Sequence, residues 1–95
     1  MYNIVRLKSF DKAFRKLKRS GKMSQKIEDK LIKAIDTLAS GKSLPKSYND
    51  HQLRGDFAGY NECHIRGDLL LVYYIDDDIL ALALVDIGTH SQIFG

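Results

Sequence analysis

Three imidazoles, His51, His64 and His90, and one carboxylate, Asp68, form the part of this sequence best suited to proton transfer. His64 and Asp68 share one short stretch, YNECHIRGD (residues 60–68), which reads as a strand running into a tight turn. His51 lies in a loop-like segment and His90 follows the last apolar run, so each imidazole stands beside a chain reversal or strand end. Histidine transfers protons near neutral pH because its free pKa is about 6.5. Two imidazoles and a cation suffice to cleave an RNA phosphodiester. One removes the ribose 2′-OH proton, another protonates the leaving 5′-oxygen, and positive charge stabilises the phosphorane. The alternative is a set of unrelated surface histidines; convergence in the fold decides between them.

A metal centre is the competing chemistry. The spacing 51, 64, 68, 90 matches no familiar zinc-ligand pattern, so no metal or other cofactor is expected. Cys63 is the only cysteine, which rules out an internal disulfide and suits a reducing cytosol. Strand alternation points its side chain away from His64, as a buried thiol and not a nucleophile. The two Arg-Gly-Asp triplets, 54–56 and 66–68, read as turns.

The elements that must position these groups follow from periodicity. Residues 2–7, YNIVRL, read as a strand. Phe10, Ala13, Phe14 and Leu17 lie at helical spacing behind Ser9, a candidate N-cap, and Gly21 is placed to stop that helix. A second helix starts at Ser24, carries the stripe Ile27, Leu31, Ala34, Ile35 and Leu38, and stops at Gly41. The short link predicts an antiparallel helical hairpin. Residues 40–56, with the only proline, form a long loop, a length often tied to function. Three strands follow at about 57–65, 69–75 and 79–87, and LLLVYYI and ILALALV are apolar enough to need cover on both faces. The order is β-α-α-β-β-β: a single α+β domain over residues 1–95, with a helical hairpin on a mainly antiparallel four-stranded sheet.

At 44% apolar and 28% charged residues, the composition is that of a soluble globular protein. No apolar run approaches the ~20 residues of a membrane span, and the N-terminus lacks a signal-peptide core, so no membrane association is expected. Charge is divided unevenly. Residues 1–33 hold eleven Lys and Arg against three acids, whereas residues 34–95 hold four against nine. The basic half suits a polyanion or an acidic partner, or is simply a solvated helix face.

The stretches DHQLRGDFAGYNECHIRGDLLLVY and IGTHSQIFG resemble the YafQ branch of the RelE/ParE toxin superfamily, and the element order agrees over the whole chain. The resemblance implies a cytoplasmic bacterial toxin of a type II toxin–antitoxin pair, acting as a ribosome-dependent mRNA endonuclease without a metal. It implies that His51, His64, Asp68 and His90 are the acid–base set, with His90 the general acid, and that Phe94 orients substrate; an apolar anchor for the C-terminal tail is the alternative for Phe94. It also implies a cognate antitoxin, mRNA on the ribosome, and operator DNA bound only as the toxin–antitoxin complex.

Two positions depart from the family pattern. Leu69 replaces an aromatic residue after the turn aspartate, and Asp86 stands where the family has an active-site arginine. A carboxylate at that place repels a phosphate, so Arg54, Arg66, Lys46 or a protonated histidine must supply the positive charge. Asp86 also leaves open a weakly active toxin, or a non-enzymatic binder of DNA gyrase like the ParE branch. The three imidazoles weigh against such a binder.

Overall fold

The computed structural model describes all residues, Met1–Gly95. Strand β1 (Asn3–Arg6) leads into α1 (Lys8–Arg19) and α2 (Gln25–Ala39). A segment with two 3-10 turns, Lys46–Tyr48 and Gly55–Phe57, holds the two-residue strand β2 (His51–Gln52) between them. Strands β3 (Asn61–Arg66), β4 (Leu69–Asp76) and β5 (Ala81–Gly88) follow, and the short helix α3 (His90–Phe94) closes the order. The sheet therefore has five strands, ordered β1-β5-β4-β3-β2, not the four read from the sequence. Its pairings are antiparallel except β1 with β5, which is parallel.

Both long helices end where their glycines predict. Gly21 (φ +75°) and Gly41 (φ +82°) take the left-handed conformation that a side chain disfavours. Behind each, paired bonds close the last turn: Gly21 N–H to Lys18 O with Lys22 N–H to Leu17 O, and Gly41 N–H to Leu38 O with Lys42 N–H to Thr37 O. Ser24 caps α2 by accepting from the Ile27 N–H at 3.2 Å. Ser9 is not a cap. The Leu7 N–H still bonds Leu84 O, so strand passes into helix at Lys8, and the Ser9 hydroxyl donates instead to Val85 O, tying α1 to β5.

The core lies between the helices and one face of the sheet. Phe10, Leu17, Leu31, Ala34 and Leu38 pack with Cys63, Ile65, Leu71, Tyr73, Leu82, Leu84 and Ile87. Leu70 and Val72, on the other face, are also buried, as the continuous apolar runs require. Strand β5 begins at Ala81, two residues after the sequence suggests: Leu80 has φ +51°, and Asp76 accepts from the Asp78 and Ile79 N–H groups in the turn before it. No helix is long and apolar enough to cross a membrane.

Candidate active site

The face away from the helices carries the chemistry, and β2 is the element that builds it. Its ladder sets His51 opposite Glu62 and Gln52 opposite Asn61, and the Leu53 N–H extends it to Tyr60 O. Glu62 and His64 are two apart on β3, so they share one face. The Nε2 atoms of both imidazoles therefore turn toward one oxygen: Glu62 Oε1 is 3.9 Å from His51 and 3.6 Å from His64. Glu62 is the chain's one buried charged residue, at 5% exposure.

Each ring is held from behind. His51 Nδ1 lies 2.9 Å from Asn49 O and His64 Nδ1 3.3 Å from Gly67 O. A carbonyl oxygen only accepts, so Nδ1 donates in both rings and Nε2 is the nitrogen left without a backbone partner. Asn49 makes its carbonyl available by adopting φ +47° at the end of the first 3-10 turn.

His90 arrives on a different support. Thr89 and Gln92 form a capping box: the Thr89 hydroxyl accepts from the Gln92 N–H, and the Thr89 N–H donates to Gln92 Oε1 at 2.8 Å. A Cβ on Gly88 would stand 2.9 Å from that Oε1 and 3.3 Å from Gln92 Cβ, so glycine leaves the space the box occupies. One turn on, Phe94 packs its ring 4.9 Å from His90 and meets Phe57 edge-on at 4.8 Å. Tyr60 continues the aromatic row, 6.5 Å from Phe57 and 5.6 Å from Tyr74. One open cleft of about 380 Å³ is lined by His51, Leu53, Arg54, Phe57, Glu62, His90 and Phe94.

The structure thus brings His51, Arg54, His90 and Phe94 together, with His64 joined through Glu62. Asp68 is exposed at the β3–β4 turn. Strands ending near 65 and starting near 69 leave a three-residue loop, 66–68; the structure has a two-residue turn, Gly67–Asp68, between paired Arg66 and Leu69, with the extra residue taken up at Ile65. His64 consequently bonds the Gly67 carbonyl. Arg66 opens onto the helix side of the same hairpin and Lys46 sits in the first 3-10 turn, both outside the cleft lining. Glu62 and Phe57 are the residues not singled out from sequence. Strand alternation from His64 was the available signal for Glu62.

Two other titratable groups are accounted for by burial. The Cys63 thiol is pushed up to about 12, first by burial and then by Asp50 and Glu62, so it stays protonated and inert. Asp86 is half-buried, and burial raises its carboxyl although the Ile87 N–H, donating at 2.8 Å, works the other way. It lines a separate cavity of about 310 Å³ with Lys16, Lys22 and Gln92, so its charge is not part of the cleft wall.

Comparison with known proteins gives these positions a context. A family model described as a bacterial toxin of type II toxin–antitoxin systems, YafQ, matches residues 2–95. The mRNA interferase toxin YafQ of Escherichia coli K12 is 38% identical over 52 residues, 55% of this chain and about half (54%) of that protein. Among solved structures, a metal-bound toxin from Helicobacter pylori is 38% identical, with 99% of this chain and 100% of that chain covered at a TM-score of 0.87. The toxin of the E. coli DinJ–YafQ complex is 26% identical and fully covered in both directions, with a TM-score of 0.85. In the present chain no three His, Cys, Asp or Glu side chains are arranged to hold a metal ion.

Proposed function

We propose a reaction for a chain that belongs to the YafQ family of bacterial type II toxins: endonucleolytic cleavage of mRNA on the ribosome by histidine acid–base catalysis. The observation that carries this reading is the buried Glu62 carboxylate faced by the Nε2 atoms of His51 and His64. His51 lines the cleft and is half-exposed, with Nδ1–H committed to Asn49 O, so its Nε2 accepts the ribose 2′-OH proton. Glu62 stabilises the imidazolium that forms. The 2′-oxygen then bonds to phosphorus, the bond to the 5′-oxygen breaks, and His90 gives that oxygen its proton. The products are a 2′,3′-cyclic phosphate and a 5′-hydroxyl.

Positive charge on the phosphorane comes from Arg54 in the cleft wall and from His64 when protonated. Phe94 and Phe57, edge to face, offer flanking bases a stacking surface. Asp68, at the turn after the His64 carbonyl partner, acts on the β3–β4 turn geometry and not on the proton. The toxin's partners are the ribosome with its message and a cognate antitoxin, such as DinJ is for the E. coli relative, with operator DNA bound only through that complex.

Primer extension on cellular mRNA after expressing wild type, His51→Ala and His90→Ala tests this. New 5′-hydroxyl ends with wild type, and at least a hundredfold fewer with either variant, are expected. Equal cleavage from all three sinks the assignment.

A further inference from the structure

On the helix side of the β3–β4 hairpin, Lys26 and Lys30 of α2 and Arg66 of β3 line one cavity of about 210 Å³ with only Ile27 beside them. All three cations are exposed, and none has an acidic partner among the chain's ion pairs; Lys30 Nζ stands 5.2 Å from the centroid of the Tyr48 ring, which leaves its charge uncompensated. Two like charges one helical turn apart oppose helix formation, and a third brought up by the hairpin adds to that. The acids on the same helix turns are engaged elsewhere: Glu28 holds Lys18 at 2.6 Å, and Asp29 accepts from Gln25 at 2.8 Å.

The cavity also adjoins the first turn of the fifteen-residue helix α2. Ser24 satisfies the Ile27 N–H there, and the Glu28 N–H bonds Ser24 O. The Gln25 and Lys26 N–H groups precede any intrahelical acceptor and add to the positive end of the helix. Arg66 is two residues beyond His64, about 7 Å along the strand, and the His64 ring is itself bonded to Gly67 O in the same turn.

We propose that Lys26, Lys30 and Arg66 form a second anion seat, which takes a backbone phosphate of RNA around the end of the hairpin from the catalytic cleft. The seat holds the polyanion while the cleft performs the cleavage, and it gives Arg66 a task that its position outside the cleft otherwise denies it. This rests on the endonuclease reading for the identity of the polyanion. The phosphate belongs to the message or to ribosomal RNA; the chemistry is the same.

The test compares full-length wild type with a Lys26→Gln, Lys30→Gln, Arg66→Gln triple variant and a charge-matched control, Lys8→Gln, Lys12→Gln, Arg15→Gln. Affinity for vacant ribosomes and for message-programmed ribosomes is measured over a range of salt. The seat variant should bind roughly tenfold more weakly and lose about 0.7 units of log–log salt slope, the value for one phosphate contact removed. The control should lose less than half of that. Loss with vacant ribosomes assigns the phosphate to ribosomal RNA, and loss only with programmed ribosomes assigns it to the message. If wild type binds with this salt dependence yet cleaves nothing, the endonuclease reading fails and the seat stands. Equal losses in seat variant and control overturn the seat. So does unchanged ribosome binding, with or without weaker antitoxin binding, and so does a lower saturated cleavage rate at unchanged half-saturation. Thermal melting distinguishes all of these from misfolding, since relief of like-charge repulsion offsets the lost Lys30–Tyr48 contact and should leave the midpoint close to that of wild type.

Discussion

His51 and Glu62 face each other across the β2–β3 ladder, and the carboxylate oxygen that His51 approaches at 3.9 Å is also 3.6 Å from His64. A two-residue strand thus brings two histidines thirteen positions apart in sequence to one carboxylate. The remaining imidazole stands on a separate helix, so the proposed reaction draws its base and its acid from different elements.

Glu62→Gln keeps the shape of this unit and removes its charge. Cleavage should fall about a hundredfold, the lower end of what positioned acid–base groups supply, while the thermal midpoint moves little. Single-turnover cleavage with a parallel melting curve checks this. A rate within threefold of wild type would show that the carboxylate is only a structural partner.

Gly88→Ala inserts a methyl group 2.9 Å from Gln92 Oε1. Gln92 must move, and the Thr89 N–H loses its acceptor, for about 1 kcal/mol of stability. Because His90 is the first residue of that helix, cleavage should fall by more than the melting shift accounts for. A Gln92→Ala variant should reproduce much of the loss, since it removes the same bond from the other side.

The raised Cys63 thiol gives a pH signature. Its folded pKa, about 12, lies above the ordinary 9.0, so the folded state holds the proton more tightly. That contribution is whole below about pH 9 and is lost as pH rises from there toward 12. Tyr73, raised by burial first and then by Cys63, acts in the same sense. Melting midpoints should therefore decline steeply across that alkaline window, and Cys63→Ala should flatten the decline. In the native protein the thiol should be unreactive to iodoacetamide at pH 8 and react fully in denaturant.

Asp86 has the same sign in the acid range. Burial raises its carboxyl, so the folded state favours the neutral form, and stability falls as pH rises through the ordinary 3.8 and above. Asp86→Asn should be more stable than wild type at pH 7, and the two should converge near pH 3.

Much of this architecture is readable from local patterns. Helical stripes ended by Gly21 and Gly41, the Ser24 cap, and two strands apolar on both faces all report short-range preferences that the tertiary fold keeps. The features that escape are those made only by pairing. Strand β2 has two residues and no propensity signal, existing because β3 is beside it. The slip at Ile65 goes with the turn closing at Gly67–Asp68, which leaves Asp68 exposed in the turn and gives His64 a backbone partner. Ser9 has the chemistry of a cap but lies one residue inside the helix, because the β1–β5 ladder carries the strand through to Leu7. Glu62 was legible by alternation, yet its meaning comes from His51, which arrives from another strand.

The parallel pairing of β1 with β5 sets a schedule for the protein's own birth. Asn3 lies against Ala81 and Arg6 against Leu84, so β1 waits for β5, the last of the five strands in chain order, before the sheet can close. His90 and Phe94 follow β5 and emerge later still. A chain that has made β2 and β3 but not β5 and α3 therefore holds His51, Glu62 and His64 on an unfinished sheet, without the imidazole and the aromatic ring that the proposed reaction needs from α3.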